Sequence, residues 1–246
     1  MNMLLDGAPA PAFAGDPALV GGLAAFEALR TYGGRPFGLD AHLARLEASA
    51  GWMGIPWPGA ACLAAEIEAV AAEEVAIVVL LTERHRLVRA APLDRARVGA
   101  PLRLATLRWE ASPSLPAWVK HTSRAPWLVA AQRAGVDEVI LVSADGSWTE
   151  TNRANLMAVR DGALHVPPLD GRALLGVTQA AFLALAREAG IRIVEAPLFP
   201  GDWQELYVVS TLKELAPIVE VDGQAAVGAG PVGAELLRRF RAARGT

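Results

Sequence analysis

Apolar residues in this 246-residue chain come in short runs cut by glycine and proline, and this limits what the chain can fold into. Val75–Leu81, one of its longest apolar runs, has seven residues. A helix that spans a bilayer needs about 20. With 23 glycines and 17 prolines as punctuation, the apolar residues are divided among many short strands and helices. Because 53% of the residues are hydrophobic and 20% charged, those elements can bury a sizeable core, and the chain does not read as disordered. The length allows one large domain or two small ones.

Taken in order, residues 3–7 read as a strand running into a turn. Residues 26–32 alternate as a strand, and Gly33-Gly34 supplies the positive φ that turns it back into 35–37. A helix is expected over Leu39–Trp52, with Asp40 able to cap it and Leu43, Leu46 and Ala50 on one face. Pro56 and Pro58 break it. A second helix over 60–72 is followed by a buried strand at Val75–Leu81 and strands at 86–91 and Leu102–Arg108. Residues 110–119 hold two serines, prolines and no helical period, so they read as a linker. The expectation is an α/β (α+β) protein of two domains: a small one over 1–109, the linker 110–119, and a larger mixed α/β one over 120–246. In the latter, a helix-like run covers 124–134 and a strand 137–143. Asp145-Gly146 is a turn, and a hairpin of 154–160 with 163–166 forms around Asp161-Gly162. A helix opens at Gly176-Val-Thr178 and closes at Gly190, strands follow at 191–195, 205–209 and 215–221, and Pro231 starts a last helix.

Net charge is −3, so no nucleic-acid partner is expected, and the arginines of 237–244 suit a helix C-terminus. Cys62 is alone, and His42, His85, His121 and His165 lack metal-ligand spacing, so no disulfide and no metal site is expected. Residues 1–16 lack a basic stretch and are interrupted by Asp6 and Asp16, unlike a signal peptide. The expectation is a cytoplasmic protein with no membrane partner.

Lys and Arg together number 23, and only Lys120 and Lys213 are lysines. Arg stays protonated and is a poor nucleophile, whereas Lys can lose its proton and attack a carbonyl. Lys120 stands in Trp118-Val-Lys120-His-Thr-Ser-Arg124, after the Pro-rich connector and before a helix, where sites are commonly built. A snorkelling surface lysine suits the same position. Glu150 reads as a turn carboxylate just before a strand, and alone it also suits a solvated side chain. Leu175-Gly-Val177-Thr178 begins a helix, where free N–H groups and a hydroxyl can hold an anion or simply cap the helix. Ser210-Thr211 repeats that chemistry, and Arg45 offers a matching guanidinium or a solvent-facing one. One special lysine, one carboxylate, two hydroxyl-bearing turns and an arginine are what a phosphorylated aldehyde cofactor needs. No Gly-rich Rossmann or Walker pattern competes.

The order of these pieces resembles the class IV aminotransferase family, fold type IV of the pyridoxal-phosphate enzymes. It includes branched-chain and D-amino-acid aminotransferases and 4-amino-4-deoxychorismate lyase. The resemblance runs through Phe26-Glu-Ala-Leu-Arg30, His42-Leu-Ala-Arg45-Leu46, Lys120 with Arg124, Glu150 with Asn155, Pro167-Pro168-Leu-Asp170, Leu175-Gly-Val-Thr178, and Ser210-Thr211 with Pro217. It implies a two-domain subunit in a homodimer, with pyridoxal 5'-phosphate as cofactor. Lys120 is then the catalytic Schiff-base lysine and Glu150 the partner of the pyridine nitrogen. Arg45, Val177, Thr178 and Thr211 surround the phosphate, and Arg124 and Arg30 lie toward the substrate. Two positions depart from the family pattern: Gly22-Leu-Ala24 replaces a frequent Gly-Asp-Gly, and Ser123 a frequent Asn.

Within the family, Lys120-His121 with Arg124 resembles the lyase, and the chain is short, as lyases are. The expected reaction is release of pyruvate from aminodeoxychorismate to give 4-aminobenzoate for folate biosynthesis. A branched-chain or D-amino-acid aminotransferase is the alternative, and a non-catalytic cofactor-binding protein the remote one.

Overall fold

The computed structural model describes residues 15–245 and the short strands β1 (Leu4–Leu5) and β2 (Ala8–Pro9), which pair antiparallel. Of the strand and turn expected over 3–7, the residues other than Leu4–Leu5 lie outside the described ones. The chain divides into two compact units: Met1–Pro92 with Val119–Ser123, and Leu93–Trp118 with Arg124–Thr246. These bounds differ from the expected 109 and 120. The strand at Leu102–Arg108 was assigned to the first domain by its place in the sequence, but its hydrogen-bonding partners are all in the second unit.

In the first unit, helix α1 (Pro17–Gly21) is capped by Asp16, whose side chain accepts from the Ala18 N–H. Strand β3 (Ala25–Tyr32) turns at Gly33-Gly34, with φ of 53° and 78°, into β4 (Arg35–Pro36). Helix α2 (Leu39–Trp52) has the expected bounds but not the expected cap. Gly38 occupies the cap position at φ 60°, which puts Asp40 inside the first turn. Helix α3 (Ala60–Val70) leads to β5 (Val75–Leu81) and β6 (Arg86–Pro92). The strands form an antiparallel sheet in the order β4-β3-β5-β6. Side chains alternate between faces along a strand. Ala25 and Leu29 of β3 and Ile77, Val79 and Leu81 of β5 therefore share one face, where they pack with Leu43 and Leu46 of α2 and Leu63 and Ile67 of α3. Residues 120–122 pair with the start of β3: the Phe26 N–H donates to Lys120 O, the Thr122 N–H to Ala24 O, and His121 bridges to Ala25.

The second unit contains β7 (Leu102–Arg108), α4 (Ala125–Ala134), β8 (Glu138–Val142), β9 (Trp148–Thr151), β10 (Asn155–Arg160), β11 (Ala163–Val166), α5 (Val177–Glu188), β12 (Ile193–Glu195), β13 (Glu205–Ser210), β14 (Glu214–Val221), β15 (Gln224–Ala225) and α6 (Pro231–Ala242). The sheet order is β12-β11-β10-β13-β14-β7-β8-β9, with β15 on β14. The pair Asn155↔Glu150 joins β10 to β9 and closes six of these strands into a ring. Leu104, Ile140, Trp148, Leu156, Leu206, Val208, Ala216 and Ile218 are buried together. The expected hairpin of β10 and β11 pairs Arg160 with Ala163, and Asp161 and Gly162 both take positive φ at its turn. Pro231 opens α6 as expected. Its arginines pair with acids, Arg238 and Arg239 with Glu235 and Arg241 with Glu214. Among the described residues no helix is long and apolar enough to cross a membrane, and no group of His, Cys, Asp and Glu could hold a metal ion.

Candidate active site

In the first unit, Lys120 is half-buried, with Nζ 5.0 Å from the centroid of the Phe26 ring. Its backbone is fixed on two sides: its O accepts from Phe26, and its N–H donates to Ser49 Oγ at 3.0 Å. Ser49 Oγ in turn donates to Arg45 O, one turn back on α2.

The residue that sequence reasoning missed is Glu27, quoted only as part of a motif. It is 1% exposed and occupies the same core-facing parity of β3 as Ala25 and Leu29. Arg45 grips it with Nε on Oε1 at 2.6 Å and Nη2 on Oε2 at 2.9 Å. His42 Nδ1 lies 2.8 Å from Oε2, and since a carboxylate only accepts, that nitrogen carries the proton. Burial pushes the Glu27 carboxyl up, but the charges of Arg45 and Lys120 and the hydrogen bonds of His42 and Arg45 outweigh it and hold the group down at about 2. Burial pushes the His42 imidazole below its ordinary value, and the bond and charge of Glu27 oppose that without reversing it. The carboxylate is therefore ionised and the imidazole neutral. A charged residue on the buried parity of an otherwise apolar strand was the signal available in the sequence.

Arg45 is thus engaged with Glu27, the carboxylate on which the Lys120 charge also acts. Arg30 is 5% exposed, 3.9 Å from Glu74 and 4.3 Å from the centroid of the Tyr32 ring.

In the second unit Glu150 lies inside β9, a correction to its expected place in a turn; Trp148-Thr-Glu-Thr151 alternates and pairs with β8. Its Oε2 accepts from the Leu174 N–H at 3.2 Å. Leu174 O accepts from Asn155 Nδ2 at 2.8 Å. Val177 and Thr178 form the first turn of α5, and the Thr178 and Thr211 hydroxyls are 3.0 Å apart. Two segments distant in sequence thus bring their hydroxyls together at a helix N-terminus, where amides and the helix dipole favour an anion. Arg124 stands at the cap of α4 and donates to Asn152 O. Burial and the charge of Arg153 lower its pKa, and Glu138 and Glu150 oppose that. The other lysine, Lys213, pairs with Glu138, a carboxylate 1% exposed.

These donors suit a phosphorylated pyridine aldehyde. Comparison with known proteins agrees. The profile of the family described as Amino-transferase class IV matches residues 24–221. A candidate branched-chain-amino-acid aminotransferase of Methanocaldococcus jannaschii is 36% identical over 99 residues, which cover 39% of this chain and 34% of that protein. The chain thus spans about a third of the length of that curated relative. The pyridoxal-phosphate-bound structure of a hypothetical aminotransferase from Mycobacterium tuberculosis is 27% identical, with a TM-score of 0.81 over 96% of this chain and 94% of that one. A candidate 4-amino-4-deoxychorismate lyase from Legionella pneumophila shares the fold, with a TM-score of 0.81, 19% identity and coverage of 95% and 96%. The chain belongs to the class IV amino-transferase family, whose enzymes use pyridoxal 5'-phosphate.

Proposed function

We propose that this chain is a 4-amino-4-deoxychorismate lyase, cytoplasmic and homodimeric, serving folate biosynthesis. The observation that carries the reading is Arg124, a half-buried guanidinium held by Asn152 O close behind Lys120-His121. A cation there favours a substrate with two carboxylates, since charge-assisted hydrogen bonds to carboxylates are the stronger kind.

Bound pyridoxal phosphate supplies an aldehyde for the substrate amine and an electron sink. Lys120 Nζ takes the proton from the ring carbon that bears the amine and returns it to the departing enolpyruvyl group. Pyruvate leaves, and aromatisation to 4-aminobenzoate drives the step. Glu150 would keep the pyridine nitrogen protonated. Val177, Thr178 and Thr211 would hold the phosphate, and Arg45 would add its charge.

A branched-chain aminotransferase is the second reading, favoured by the name of the Methanocaldococcus relative. There Lys120 would carry a proton between the amino-acid α-carbon and the cofactor, and a 2-oxo acid would accept the amine.

Product analysis separates the two. Aminodeoxychorismate with no 2-oxo acid is expected to give pyruvate and 4-aminobenzoate. Steady amino transfer from an amino acid to 2-oxoglutarate, with no pyruvate from aminodeoxychorismate, would move the chain to the aminotransferase branch. Borohydride reduction with peptide mapping is expected to label Lys120. A label on Lys213 alone would end both readings.

A further inference from the structure

We infer that Asn155 is a positioning residue that ties the N-terminus of α5 to the strand pair carrying Glu150. The inference rests on the cofactor reading above. Asn155 is 7% exposed and sits directly opposite Glu150 where β10 meets β9. Both side chains hold the backbone of one residue, on its two flanking peptide groups: Glu150 accepts the Leu174 N–H and Asn155 donates to Leu174 O. Leu174 is two residues before Gly176, the cap position of α5, and four before Thr178. One backbone residue thus carries the register of the carboxylate to the hydroxyl assigned to the phosphate.

Gly176 belongs to the same device. Its φ of −74° is ordinary, so no backbone strain demands glycine. Space does: a Cβ there would lie 2.0 Å from Asn155 Oδ1 and 2.9 Å from its Cγ. Gln179 Cβ, at 3.0 Å, is the next atom such a methyl meets, and the far tighter approach is to the Asn155 amide, which yields by turning away from Leu174 O. A methyl at 176 and the loss of the amide at 155 therefore damage one and the same contact.

A double-mutant cycle tests this. Wild type, Asn155→Ala, Gly176→Ala, the double variant and Asn155→Asp are titrated with pyridoxal 5'-phosphate and, separately, with inorganic phosphate. The pH at which the bound cofactor changes its absorption is recorded, and melting without cofactor monitors the fold. Each single variant is expected to bind the cofactor roughly tenfold more weakly, within the range of overpacking or a lost buried hydrogen bond. The double variant is expected to be no weaker than the worse single. Asn155→Asp, which keeps the shape but loses the donor, is expected to follow Asn155→Ala in affinity and in the displaced absorption transition. Multiplying losses in the double variant, or wild-type affinity and absorption in Asn155→Asp, would overturn the inference. A wild-type chain that binds no pyridoxal phosphate would instead overturn the cofactor reading, and this inference with it.

Discussion

Glu27 shows how a single residue can bind a local region together. It is a buried carboxylate compensated by a bidentate guanidinium and an imidazole N–H, and removing its charge breaks this buried pair with Arg45 from one side. Glu27→Gln is expected to destabilise the protein by about 3–5 kcal/mol, the cost of breaking a buried pair from one side. Urea unfolding at neutral pH measures it. His42 adds a pH dependence. Its pKa is depressed in the fold, so unfolding favours proton uptake; its contribution is complete above the ordinary value of 6.5 and is lost as pH falls. Glu27 has the same sign at lower pH: its contribution is complete above 4.5 and lost toward about 2. Stability is thus expected to decline between pH 7 and 5, and His42→Gln to flatten that decline. Denaturant midpoints at the two pH values read it, with a residual slope from His165, also held down by burial. At this scale the sequence singles out Lys120 through the scarcity of its type, a property of composition alone. It left Glu27 unremarked, because the value of a charge depends on which face of β3 it occupies and what α2 brings to that face.

Helices α5 and α6 meet through Phe182 and Phe240, fully buried and stacked with centroids 4.5 Å apart and planes 7° from parallel. Phe240→Ala is expected to cost about 3–5 kcal/mol, by lost transfer energy and the cavity left behind. A lowered urea midpoint with an unchanged slope would show it, whereas a midpoint like that of wild type would mean α6 is dispensable. Most elements were legible because their signals are local. The bounds of α2 and β5 follow from apolar period and flanking breakers, and the β10–β11 hairpin from Asp161-Gly162. Strand β9 was not: its four residues are too few for a period to declare itself, and its pairing with β8 and β10 defines it. The unit to which β7 belongs was hidden for a related reason. Its parallel partners are β8, beyond a helix, and β14, more than a hundred residues away, and nothing within β7 announces either.

At the scale of the whole molecule, the first unit is discontinuous: Val119–Ser123 returns to it after residues 93–118 have entered the second. Without that return the edge of β3 loses the bonds between Phe26 N–H and Lys120 O and between Thr122 N–H and Ala24 O, and Ser49 loses its acceptor role toward Lys120. A fragment of residues 1–92 is expected to melt below the intact chain, and a peptide of residues 117–125 supplied in excess to raise that melting point. Circular dichroism of the fragment with and without the peptide checks it, and a fragment already as stable as the whole would refute it. The same discontinuity dictates a timetable. During synthesis the ribosome delivers the sheet of the first unit, then a stretch destined for the other, and only afterwards the lysine. A nascent chain halted before that point carries a nearly finished sheet with no lysine at its edge, so the cofactor capture proposed for Lys120 has to wait for folding to be well advanced.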